Sequence, residues 1–133
     1  MRANIGKKAI IIGGGIGGVT AALALQQAGI EVTVFERAEE LREVGSGLPL
    51  WTNALRALGK LGLSSAVEAL GESFTSGLCL TTWDGKVLAD LRTHELLERL
   101  GTVNEVVHRA ELLAVLVAAL GEERVQLNST CVG

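Results

Sequence analysis

A run of glycines near the start, Gly13-Gly14-Gly15-Ile16-Gly17-Gly18, constrains this chain more than any other feature. Gly13, Gly15 and Gly18 fit G-x-G-x-x-G, between an apolar run over 7–12 that reads as a strand and a helical periodicity over 16–27. Each glycine answers a steric need. Gly13 permits a tight turn, Gly15 lets a pyrophosphate approach the backbone, and Gly18 lets the helix press against the strand. The helix start then offers unpaired N–H groups and the positive end of its dipole to a phosphate. A secretory leader is the competing reading, because Arg2, Lys7 and Lys8 precede an apolar stretch with an Ala-x-Ala. Five glycines inside the supposed apolar core weigh against it.

The residues after the turn support the phosphate cradle. Gly29 suits a helix C-terminus, and residues 31–36, EVTVFE, alternate and are rich in β-branched side chains, so they read as a second strand. Strand, helix and strand in this span make one right-handed βαβ unit. The second strand ends in Glu36, 23 residues after Gly13, near the place expected for an acid that takes ribose hydroxyls. A carboxylate there repels a 2′-phosphate and argues against NADP; FAD and NAD both remain open. Arg37 reads equally as a solvated surface arginine or as a contact to the adenosine half of the ligand.

The 133 residues suit one domain, 1–133, and no linker interrupts them. Twelve Lys and Arg against fifteen Asp and Glu, net −3, give no electrostatic case for nucleic acid or an anionic membrane. The composition is 48% hydrophobic and 3% aromatic, the palette of an α/β domain with a parallel sheet. Cys79 and Cys131 are expected as buried or half-buried thiols in a reducing cytoplasm, and two histidines without metal spacing give no zinc site. Further along, a polar segment over 37–47 leads through Pro49 to a helix capped by Thr52 or Asn53. A short helix at SSAVEAL has Ser65 and Glu68 at capping-box spacing. LCLTTWDGKVLADL reads as a hairpin turning at Asp84-Gly85, TVNEVVH as a strand, RAELLAVLVAAL as a helix ended by Gly121, and RVQLNSTCV as a last strand. Trp51 is expected to pack on its helix, with a substrate-side place as the alternative, Trp83 to pack, and His108 to pack or to bond to the backbone; His94 receives no role.

In combination, the glycine turn, the FER strand end, REVGSGL, NALRALGKLGL and HRAELL closely resemble the single-component (class A) FAD-dependent aromatic monooxygenases of the para-hydroxybenzoate hydroxylase fold. The resemblance covers nearly the whole chain, most weakly between Glu72 and Thr102. It implies a Rossmann-like FAD-binding βαβ domain, with the hairpin belonging to an incomplete substrate domain. By position, it implies that Gly13, Gly15, Ile16 and Gly18 hold the FAD pyrophosphate, Glu36 the adenosine ribose, and Arg37 the adenosine portion. The GSG loop, Gly45 to Gly47, would pass the flavin end. Arg109 would reach the ribityl-pyrophosphate region, and the backbone near Cys131 the adenine. Arg109 also makes sense independently, since a cation gains nothing from a helix N-terminus and so needs another reason to be there. Arg42 reads as a loop arginine in solvent, with a cofactor contact as its alternative.

The resemblance further implies NAD(P)H as co-substrate and a small aromatic substrate, with the cofactor carrying the chemistry. The family's later Asp-Gly and Gly-Asp-Ala motifs are missing, so the chain is expected to be the amino-terminal third of a longer cytoplasmic flavoprotein, not competent for turnover alone. A non-catalytic nucleotide-binding module and an NAD-dependent dehydrogenase domain are the alternatives. Uncovered apolar edges are expected to drive the chain to a homo-oligomer.

Overall fold

The apolar run, the glycine turn and the alternating segment form the strand–helix–strand unit expected of them. The computed structural model describes residues 6–41, 46–73, 78–91, 95, 98–99 and 104–132. It opens with β1 (Lys8–Ile12), α1 (Ile16–Gln27) and β2 (Glu31–Phe35). The strands run parallel, from Lys8 opposite Glu31 to Ile12 opposite Phe35. Gly29, at φ +87°, closes α1 in the left-handed region that favours glycine. Among the described residues there come next β3 (Gly47–Trp51), α2 (Thr52–Lys60), α3 (Ser64–Glu68), β4 (Glu72–Ser73), β5 (Leu78–Thr81), β6 (Val87–Leu91), β7 (Asn104–His108), α4 (Arg109–Leu120) and β8 (Val125–Gln126). The chain divides into two compact units, Met1–Ser46 with His108–Gly133, and Gly47–Val107.

The first unit carries a sheet of order β1-β2-β8, parallel throughout, with Val34 opposite Val125. The period-2 alternation of β2 buries Val32 and Val34, while α1 and α4 pack on each other and supply Val19, Ala22, Leu23, Leu112, Leu113, Leu116, Val117 and Leu120 to the core. Gln26 Nε2 donates to the Leu120 carbonyl at 2.9 Å, pinning the end of α4 to α1. Residues 7–12 read as a strand buried on both faces, and here the structure differs. Ile10 and Ile12 are 67% and 60% exposed, so among the described residues the helices cover one face only.

The second unit contains a sheet of order β3-β7-β4 and the β5–β6 hairpin. Its core is Leu50, Leu58, Leu63, Val67 and Val107. Residues 47–51 read as part of a connecting segment but form β3, which among the described residues is an edge strand, the place where a sheet tolerates a proline such as Pro49. Neither expected side-chain cap forms. Trp51 precedes α2 and Leu63 precedes α3, so Thr52 and Ser64 already lie inside their helices and Ser65 is too far along for a capping box. The hairpin turns as expected, with Gly85 at φ +89° and Thr82 N–H on the Lys86 carbonyl. Its surroundings are barer than expected. Trp83 is 99% exposed and Trp51 45%. Both cysteines are exposed rather than buried, Cys79 on the uncovered hairpin and Cys131 beyond the end of β8.

Candidate functional site

The glycine turn is built by three close approaches. Gly13, at φ +103°, turns the chain out of β1 while its N–H still donates to the Phe35 carbonyl at 2.8 Å. A side chain at Gly18 would place its Cβ 2.0 Å from the Gly13 carbonyl oxygen, so the helix can enter this close only without one. Gly15 precedes α1 in extended conformation, and no side chain caps the first turn. The amide donors there are therefore free of any side-chain cap, and the helix dipole adds partial positive charge at the same place.

Glu36 lies across the mouth of this turn. The Gly14 N–H donates to its Oε2 at 2.6 Å, and the Ala38 N–H to its Oε1 at 2.9 Å. Those two amides, Ala38 first, hold the carboxyl below its ordinary value against an opposing desolvation, and the Arg37 guanidinium adds a lesser pull in the same direction as the amides. The main chain of Glu36 is fixed as well. Its N–H donates to the Gln126 carbonyl at 2.8 Å, and its carbonyl accepts from Ser129 N–H at 2.9 Å. Gly14 is a participant that the G-x-G-x-x-G pattern passes over. A Cβ there would lie 2.9 Å from Glu36 Cβ, so the bare α-carbon leaves room for the glutamate. The hint in the sequence is a third consecutive glycine where the pattern asks for two.

Arg37 is exposed beside Glu36. Cys131 lies two residues beyond Ser129, which touches Glu36. Arg109 opens α4 as an exposed residue, its N–H donating to the Ser46 carbonyl at 3.3 Å. Gly47 begins β3 in the second unit, where a Cβ would meet Val106 at 3.3 Å. His108, expected to pack, is exposed at the entry to α4. Arg42, Gly45 and His94 lie outside the described residues.

Residues 11–42 match the family described as an NAD(P)-binding Rossmann-like domain. The FAD-dependent urate hydroxylase of Mycolicibacterium vanbaalenii is 32% identical over 126 residues, 95% of this chain and 32% of that protein. The chain is a homologue of the FAD-dependent aromatic hydroxylases. A second member, 3-hydroxybenzoate 6-hydroxylase of Klebsiella oxytoca, is 32% identical over 125 residues, 92% of this chain and 32% of the relative. The structure of Klebsiella pneumoniae HpxO complexed with FAD and uric acid aligns with a TM-score of 0.80 at 29% identity, over 94% of this chain and 31% of that one. The chain thus spans about a third of the length of the relatives it matches. Its resemblance to them, carried in sequence by five short motifs, holds over nearly the whole chain.

The first unit therefore sets capless helix amides next to an ionised, doubly held carboxylate, an arrangement that complements a phosphate on one side and a diol on the other. Among the described residues there is no cluster of potential metal ligands. No helix among them is long and apolar enough to cross a membrane.

Proposed function

We propose that the chain is the FAD-binding segment of a flavin-dependent monooxygenase, and that the whole protein uses NAD(P)H and O₂ to hydroxylate a small aromatic or heteroaromatic ring. One observation carries the reading: the Glu36 carboxylate seated on Gly14 N–H at 2.6 Å, at the mouth of an uncapped helix N-terminus. A dinucleotide fits the charges there. Its pyrophosphate meets the amides of Gly15, Ile16 and Gly18, with Gly13 shaping the turn beneath it, while the lone pairs that Glu36 keeps free accept from the adenosine ribose hydroxyls. The names of the relatives, FAD-dependent hydroxylases among them, support FAD over NAD. Arg37 lies along the adenosine, the Arg109 guanidinium takes the ribityl-pyrophosphate region, and the main chain near Cys131 meets the adenine edge.

FAD, when bound, supplies the redox chemistry that no side chain of this chain can perform. The protein's part here is to bind and orient. Backbone amides neutralise the pyrophosphate, and the fixed carboxylate both holds the ribose and rejects a 2′-phosphate. Two exposed, unpaired thiols fit a reducing cytoplasm as the place of action.

Titrating the purified chain with FAD, monitored by quenching of flavin fluorescence, tests the proposal. Binding that Glu36→Ala and Arg109→Ala each weaken by about tenfold is expected, since each removes a charge-assisted hydrogen bond. A chain that ignores FAD, or that binds NAD in its place, overturns it.

A further inference from the structure

Among the described residues, Asn128 is the one non-glycine residue with positive φ, at +54°. It interrupts what the sequence presents as a continuous strand over 124–132, and β8 stops at Gln126. The interruption has a definite product. Along a strand, successive N–H groups point to opposite sides. Here two consecutive ones turn to the same neighbour: Asn128 N–H donates to the Ala38 carbonyl at 3.0 Å, and Ser129 N–H to the Glu36 carbonyl at 2.9 Å. Ala38 is the residue whose own N–H holds Glu36 Oε1. The left-handed turn therefore grips the Glu36–Ala38 segment at both ends, and through it sets where the carboxylate sits. A residue held in this conformation away from glycine costs energy that the extended strand would avoid. Ser129 Oγ, donating to the Leu127 carbonyl at 3.0 Å, ties the turn to itself.

We infer that Asn128 is a positioning residue for the nucleotide site: its left-handed turn fixes the Glu36 carboxylate and so sets the affinity for the ribose diol of an adenosine nucleotide. The inference rests on the proposed FAD site and adds a residue to it that touches no ligand. Asn tolerates this backbone conformation because its short polar side chain is not β-branched; Gly tolerates it freely, and Val does not.

Calorimetric titration of the 133-residue chain with ADP and with 2′-deoxy-ADP supplies the test. Asn128→Gly is expected to bind ADP as the parent does, and Asn128→Val about tenfold more weakly. The preference for ADP over its 2′-deoxy analogue should shrink in Asn128→Val. The double variant Asn128→Val/Glu36→Gln should bind no worse than Glu36→Gln alone, because one path carries both effects. Unchanged ADP affinity in Asn128→Val, or losses that add in the double variant, overturns the inference while leaving the FAD site standing. A parent chain that binds neither FAD nor ADP overturns both. Should Asn128→Val lose its circular-dichroism spectrum, Asn128→Ala, strained less, takes its place under the same criteria.

Discussion

At Glu36 the backbone does most of the electrostatic work. Two amides and the Arg37 guanidinium favour the ionised carboxyl, so its folded-state value lies below the ordinary 4.5. The sign comes from linkage. The stability this group contributes is complete above its unfolded value and is lost as pH falls through the lowered folded one. Glu36→Gln should therefore flatten the decline in urea midpoint expected of the parent as pH falls from the ordinary 4.5 through the lowered folded value; a parent and variant that decline together would refute it. Much of this residue-scale picture is legible in the sequence. The spacing of Gly13, Gly15, Gly18 and Glu36 names the acid and the turn, because a phosphate cradle leaves little freedom in where its parts fall. That Gly14 supplies the amide is only hinted at there, by the third consecutive glycine, since its role depends on how a side chain 22 positions away folds back. Asn128 is hidden: asparagine visits the left-handed region readily but announces it nowhere in a strand-like run.

Among the elements, α4 shows what periodicity conveys well. Its limits agree with the expected helix, and Leu112, Leu113, Leu116, Val117 and Leu120 fall on the buried side against α1. Leu116 is wholly buried. Replacing it with Ala should lower the stability of the first unit by about 2–5 kcal/mol, through lost transfer energy and the void left behind, and thermal or urea unfolding reads this directly. A loss under about 0.5 kcal/mol, the range of surface substitutions, would mean that α4 is not packed as described. Element starts are less legible than element bodies. Ser65 with Glu68 looks like a capping box in sequence, yet the turn at Gly62, with φ +80°, delivers the chain into helix two residues too early for it. β3 escapes notice because Pro49 reads as a breaker, and only its place at the sheet edge makes it harmless.

For the molecule as a whole, composition speaks to class and not to coverage. The apolar content signals an α/β chain, but which sheet faces find a partner is a matter of tertiary arrangement. Ile10 and Ile12, alternating on β1, leave one such face bare. Exposed isoleucines on an edge strand favour association, so Ile10→Thr with Ile12→Thr should shift light scattering at micromolar concentration toward smaller species. Identical scattering from parent and variant would remove this face as a cause of self-association. The two units also carry separate optical labels. Both tryptophans, Trp51 and Trp83, lie in Gly47–Val107, and the sequence has no tyrosine. Tryptophan emission from this protein consequently originates in the second unit alone, one of its two indoles being almost wholly in water, and the first unit, with its glycine turn, contributes no indole. An unfolding curve recorded at those wavelengths carries no label inside the glycine turn, and amide signals recorded beside it are what report directly on a nucleotide that stabilises the turn.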